Sequence, residues 1–258
     1  MTDGDKEMNT RRDFIKVCSA ATVGFPLIGR CSPVKSMIAA EKNFREDEYS
    51  PFDVPYITEG MLAMWDGEWN TGIGEHDEEA IIWKDISNNG FDFVLPENGA
   101  SWRENNLLLS NVSLHTELPL VSRDNFTIEC VAECTGSDGA IVWLKNPTWI
   151  GGALVGWQTR SRCYFPWRII GDIGDRSLHS ISLSWSPTGQ FLMVDGVVIS
   201  RLQETLYNRR ILSDVYIGEY NGGLCNSLTG YSFRLYAKSI TEEEAYSNYA
   251  IDKERFSL

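Results

Sequence analysis

Two carboxylate pairs stand at spacings that would bring each pair to one face of a strand. Asp66 and Glu68, in Met64-Trp65-Asp66-Gly67-Glu68-Trp69, lie two residues apart. On a strand their Cα atoms would be about 6.6 Å apart on a shared face. Retaining glycoside hydrolysis works with carboxyl groups about 5–5.5 Å apart, one as nucleophile and one as acid/base. Gly67 and the following Asn70-Thr71-Gly72 mark a strand end, however, and a turn or calcium role suits the pair better. Glu129 and Glu133 would share the exposed face of another strand at about 13 Å, wider than inverting chemistry uses. The three histidines, His76, His115 and His179, show no H-x-H or H-E-x-x-H spacing, so none is expected to bind a metal. No nucleophile elbow, P-loop or dinucleotide-binding glycine pattern occurs. The EF-hand pattern is also absent, which leaves calcium as an open cofactor with unassigned ligands.

Aromatic residues offer a different chemistry. Of nine tryptophans, Trp185 alternates with Ile181 and Leu183 and reads as core, as do Trp65 and Trp83. Trp143, Trp149, Trp157, Tyr164 and Trp167 cluster within 25 residues, beside Lys145, Gln158, Arg160 and Arg162. A flat ring with amides and guanidinium groups nearby suits a sugar, which presents an apolar face to stack and hydroxyls to hydrogen-bond. Trp143, Trp157, Arg160, Tyr164 and Trp167 are therefore the candidate ligand-binding residues. The competing reading is a packed sandwich whose aromatics are covered by long charged side chains.

The elements that would hold these residues are strands. Phe126-Thr-Ile-Glu-Cys-Val-Ala-Glu-Cys134 alternates with period two and predicts a half-buried strand, with Thr127, Glu129 and Glu133 on the face away from the core. Ser180–Trp185 alternates, Ser186-Pro187-Thr188-Gly189-Gln190 turns, and Phe191–Gly196 returns, a predicted hairpin. Ala140–Lys145, Val215–Gly218 and Tyr231–Leu235 predict further strands. One helix is expected after Thr241, an N-cap with Glu244 three residues on, running to about Tyr249 or Ile251. Many short strands, regular turns and one short C-terminal helix predict an all-β, antiparallel β-sandwich.

Several segments carry a specific resemblance. Trp83-Lys-Asp-Ile-Ser-Asn-Asn-Gly-Phe-Asp92 is similar to the W-x-D-x-S-G-N-G-N-D segment of laminin-G-like, concanavalin A-like jelly rolls, with Asn88 in place of a glycine. Phe126-Thr-Ile-Glu129, Met193-Val-Asp-Gly196, Ile217-Gly218, Gly230–Glu244 and Asn248–Phe256 resemble further motifs of those domains in the same order. Together they span roughly residues 60–256. Within them Asn89 and Gly90 are expected to supply positive φ for a tight turn, Asp85 to bond backbone amides two residues on, and Asp195-Gly196 to make a hairpin. Glucanases of this resemblance carry E-x-D-x-x-E on one strand. Here Glu75-His76-Asp77-Glu78-Glu79-Ala80 has Ala80 at the third acid's place and lies in a polar, glycine-flanked insert. It reads as a solvated loop.

The N-terminus reads as an address. Thr10-Arg11-Arg12-Asp13-Phe14-Ile15-Lys16 resembles a twin-arginine export motif, and Val17–Gly29 is a short apolar run broken by Gly24 and Pro26. It is too short for a membrane-spanning helix. Residues 1–40 are expected to be a signal cleaved after Ala40, with Met8 as an alternative start. A lipid anchor at Cys31 is less favoured because Arg30 is not small. Residues 41–55 read as a linker and 56–258 as the sandwich domain. The whole chain carries −13, and the first 40 residues hold six Lys/Arg and four Asp/Glu, leaving −15 on the remainder. Such a field repels phosphate backbones and anionic lipid, so nucleic acid and membrane are not expected partners. Four cysteines, Cys130, Cys134, Cys163 and Cys225, lie beyond the signal, and free buried thiols are expected. The combined expectation is an exported, non-catalytic module that binds glycan. A glycoside hydrolase and a calcium-dependent adhesion domain are the alternatives.

Overall fold

A computed structural model describes residues 56–258, apart from 73, 75, 123–124, 135–139, 147–148, 157–161, 166–167, 174 and 204–210. The expected signal (1–40) and linker (41–55) lie outside the described residues, as does the expected turn at Gly136–Gly139.

The chain runs β1 (Met61–Asp66), β2 (Ile82–Trp83), β3 (Phe93–Val94), β4 (Ala100–Arg103), β5 (Asn106–Leu109) and β6 (Leu114–Ser122). It continues through β7 (Phe126–Cys134), β8 (Ala140–Asn146), β9 (Trp149–Gly156), β10 (Arg162–Phe165), β11 (Arg168–Asp172) and β12 (His179–Ser186). The last strands are β13 (Gly189–Val194), β14 (Val197–Leu202), β15 (Ile211–Ile217), β16 (Glu219–Tyr220), β17 (Gly223–Leu224) and β18 (Leu228–Tyr236), before helix α1 (Glu242–Phe256). One eight-stranded sheet has the order β14-β13-β12-β7-β18-β5-β4, with β1 also paired to β18. A six-stranded sheet has the order β11-β10-β9-β8-β15-β6. The pairings are antiparallel, so the expected all-β sandwich with a C-terminal helix is the observed architecture.

The core lies between the sheets. Trp65, Phe126, Ile128, Cys130, Ile181, Leu183, Trp185 and Phe233 meet Leu114, Ile141, Leu144, Val155, Val215 and Ile217 in one buried cluster. Trp83 anchors one end edge-on to Trp102 at 5.4 Å and to Phe233 at 5.6 Å. Each such ring removes a large apolar area from water, about 1.5–3 kcal/mol apiece.

The other face of β7 departs from the half-buried expectation. Thr127 and Glu129 are each 1% exposed, and Ser180, Ser182 and Ser184 on neighbouring β12 are buried as well. Helix α1 roofs that face of the sheet. Its capping box is present, with Thr241 Oγ1 accepting from the Glu244 amide at 3.1 Å and Glu244 accepting from the Thr241 amide at 2.7 Å. The helix continues a full turn beyond the expected end, to Phe256. Its sheet-facing side carries Asn248 and Asp252 between Ala245, Ile251 and Phe256, so apolar periodicity fades while the helix goes on.

Turn chemistry explains the Trp83–Asp92 segment. Asp85 accepts from the amides of Ser87 at 2.9 Å, Phe91 at 3.1 Å and Met64 at 3.0 Å, which ties the loop to β1. The left-handed residues are Asn88 (φ 68°) and Gly90 (φ 81°). Asn89 is not one of them; its side-chain amide instead donates to the Leu62 carbonyl at 2.9 Å. Asn tolerates this conformation better than other side chains, which lets Asn88 stand where the related motif has glycine. Asp195 (φ 47°) and Gly196 (φ 74°) make the expected tight hairpin between β13 and β14.

Candidate functional site

Asp66 and Glu68 are built into structure. Asp66 is 0% exposed, and its two oxygens accept from both terminal nitrogens of Arg255 at 2.8 and 2.9 Å. Glu68 accepts from the same guanidinium at 2.9 Å. The turn role is present too, because Asp66 Oδ1 also accepts from the Glu68 amide at 3.0 Å. Of the turn or calcium roles expected for the pair, the turn is the one seen, and the Arg255 guanidinium supplies the positive charge between both carboxylates. Sequence reasoning missed Arg255 because it lies almost 190 residues away on α1.

Glu129 does not face solvent. Arg234 on β18 donates from Nε to Glu129 at 2.9 Å and from Nη1 and Nη2 to Asp252 at 2.8 and 2.6 Å. Ser182 and Asn248 also donate to Glu129, at 2.8 and 2.7 Å. Tyr56 and Ser180 donate to Asp252 at 2.8 and 3.0 Å. Burial pushes the Glu129 carboxyl above its ordinary range, against the pull of Arg234. Burial also works against the Arg234 guanidinium, but Asp252 and Glu129 outweigh it and hold its pKa well above the usual value. The arrangement pairs its buried charges and hydrogen-bonds them, as a stable interior requires. It fastens α1 to the sheet with both carboxylates, Glu129 and Asp252, buried.

The 75–79 insert is likewise a braced loop. Asn70 and Asp77 exchange two hydrogen bonds of 2.8 and 2.9 Å, and His76 Nδ1 lies 2.8 Å from the Gly67 carbonyl. Glu78 and Glu79 are exposed, and Glu75 lies outside the described residues. Among the described residues no three His, Cys, Asp or Glu side chains gather in metal-binding geometry.

With α1 over the first sheet, the outer face of the second sheet carries the accessible chemistry. Strand register aligns His115 on β6, Tyr216 on β15 and Trp143 on β8 in one row, which continues through Leu154 on β9 to Tyr164 on β10. The Tyr216 ring stacks on His115 at 4.5 Å with 24° between planes, and lies 5.1 Å from Trp143 on its other side. Tyr220 meets Trp143 edge-on at 5.3 Å. The adjacent row holds Glu117, Asp214 and Lys145. Lys145 Nζ lies 5.5 Å from the centres of both the Trp143 and Tyr216 rings, within cation–π range. Asp214 accepts from Ser213 at 2.7 Å and lies 3.1 Å from His115 Nε2. This face therefore offers aromatic rings bordered by a cation, an imidazole and carboxylates.

The candidates fall out unequally on this frame. Trp143 is on the face but only 2% exposed, packed with Ala140, Tyr216 and Tyr220. It supports the row from beneath, and the open ring surface belongs to His115 and Tyr216. Its buried indole N–H has no hydrogen-bond partner among the described residues. Tyr164 shares the Trp143 register row through Leu154. Trp157, Arg160 and Trp167 lie outside the described residues. His115, Tyr216 and Asp214 were missed. Their signal was the alternation of Tyr216 between core-facing Val215 and Ile217, which places Tyr216 outward.

A scan against protein-family models and a search of curated proteins give no match. Solved structures share the fold. Trypanosoma rangeli sialidase in complex with sialic acid is similar over 75% of this chain and 33% of its own, with 15% identity and a TM-score of 0.53. A further structure of Trypanosoma rangeli sialidase is similar over 75% of this chain and 33% of its own, with 16% identity and a TM-score of 0.54. The botulinum neurotoxin serotype D ligand-binding domain, in complex with N-acetylneuraminic acid, is similar over 76% of this chain and 52% of its own, at 10% identity and a TM-score of 0.58. The chain thus spans about a third of the sialidase's length and half of the toxin domain's. At these identities the likeness is one of β-sandwich fold.

Proposed function

We propose that this protein is a carbohydrate-binding module that uses the outer face of its second sheet. The observation that carries the reading is the His115–Tyr216–Trp143 row with Lys145 and Asp214 alongside. His115, the exposed end of the row, and the half-buried edge of Tyr216 offer the apolar contact for a sugar ring, with Trp143 packed behind them, while the neighbouring ammonium and carboxylate meet its hydroxyls. The fold is shared with a sialidase and a toxin domain seen with sialic acids, which fits a sandwich adapted to sugars. The order of the laminin-G-like motifs supports the same kinship. The twin-arginine-like leader adds export to the reading, with the mature chain meeting its glycan outside the cytosol.

A hydrolytic reading has one observation in its favour. Glu117 and Asp214 stand directly opposite in register beside the aromatic row, a placement from which two carboxylates can act on one bond.

A polysaccharide pull-down and glycan array on residues 41–258, with and without calcium, tests both. Binding without new reducing ends supports the module. Shortened oligosaccharides that vanish in Asp214→Asn establish the hydrolase. Absence of binding under every condition rejects both.

A further inference from the structure

Two thiols stand together at the end of the sandwich. Cys134 closes β7, and Cys225 lies between β17 and β18. Leu228, three residues after Cys225, pairs in register with Cys134, so the chain returns β18 alongside the end of β7. Both side chains are 1% exposed within the main core cluster, and neither is in a disulfide. The Cys225 thiol donates to the Ala140 carbonyl at 3.6 Å, and the Cys134 thiol is the main influence on its proton. Cys130 is four residues back along β7, about 13 Å away at strand rise, too far to compete.

We propose that Cys134 and Cys225 form a disulfide bond when the chain meets a disulfide oxidant. Thiols buried in one cluster where β18 returns beside the end of β7 need only side-chain rotation and a local approach to reach bonding distance. The bond links strand ends that are distant in sequence but already adjacent in the fold. Access comes from the Cys225 side, where Leu224 and Asn226 on either side are exposed. The Cys134 thiol and burial push the Cys225 thiol far above its ordinary range, so the closed state holds little thiolate. Reaction therefore proceeds through opening of the 223–227 segment. One thiolate attacks a sulfur of oxidised glutathione, forming a mixed disulfide and releasing one glutathione thiolate. The second thiolate attacks the protein-side sulfur of that mixed disulfide, closing the protein bond and releasing the second glutathione. Two protein thiols are oxidised and one glutathione disulfide is reduced, with two protons passing to solvent or to the released thiolates.

The test is incubation of the full chain with oxidised glutathione, both in buffer and during refolding from urea, followed by a non-reducing peptide map and thermal melts. The expected result is loss of two thiols per chain and a Cys134–Cys225 linked peptide. The melting temperature should rise by roughly 5–10 °C, reversed by reductant and not seen in Cys134→Ala or Cys225→Ala. The bond should form faster during refolding than in the folded protein. Retention of both thiols after oxidative refolding would overturn the proposal, as would a map that links either cysteine to Cys130 or Cys163.

Discussion

At the scale of residues, Arg234 is the most consequential side chain on the first sheet. It is 1% exposed and is the cation that Glu129 and Asp252 share. Arg234→Met should leave two buried carboxylates without their cation and cost about 3–5 kcal/mol. A lowered urea midpoint with an unchanged denaturant slope would show this. Adding Glu129→Gln and Asp252→Asn should recover part of the loss, since the buried charges go with the cation. None of this was legible in the sequence. Glu129 and Ser182 alternate with apolar neighbours as solvent-facing residues do, and their partners, each other and, for Glu129, Arg234 on β18 and Asn248 on α1, are more than 50 residues away. Trp185 was legible as core because its alternation with Ile181 and Leu183 is a local signal, and Trp65 and Trp83 were legible from packing positions of the laminin-G-like resemblance. The Asp85 turn was legible because turn chemistry is likewise local.

Elements show how such residues are held. Helix α1 begins at a capping box that the sequence displays openly, and Thr241→Ala should cost about 1 kcal/mol, measurable as a reduced unfolding free energy. Its length was not legible, because Asn248 and Asp252 face the sheet and interrupt the apolar pattern. A second device sits where β12 begins. His179 lies between Asp195, 2.6 Å from Nδ1, and Asp175, 3.0 Å from Nε2. The hydrogen bond to Asp195 is the main influence raising the histidine above its ordinary value of 6.5, with Asp175 adding to it. Between that value and its folded pKa, the folded protein holds a proton that the unfolded chain has lost. The stabilisation is therefore complete below pH 6.5 and is lost as pH rises through the folded value. Melting temperature should fall on raising pH across that window, and His179→Gln should flatten the dependence. A wild-type melt that is unchanged or rises over the window would show that the histidine is not stabilised by its aspartates.

For the molecule as a whole, the two sheets have divided labour. One outer face is closed by α1 over a paired polar layer. The other carries the aromatic row and its charged neighbours. The overall fold class was readable from strand periodicity, while the row was not, because it is assembled across β6, β15 and β8 from residues up to about a hundred positions apart. The aromatic cluster at 143–167 drew attention to the sheet proposed to bind glycan but named Trp143, which the fold buries, ahead of Tyr216, which it leaves partly open. A net charge of −13 is compatible with a neutral polymer as ligand and unfavourable for polyanions.

Calorimetric titration of the best array-identified glycan into wild-type protein and Tyr216→Ala tests the binding face most directly. Removing the central ring should weaken affinity about tenfold or more, equivalent to about 1.4 kcal/mol, while the melting temperature stays near that of the wild type. Unchanged affinity in a folded Tyr216→Ala protein would place the ligand elsewhere and contradict the assignment of this face.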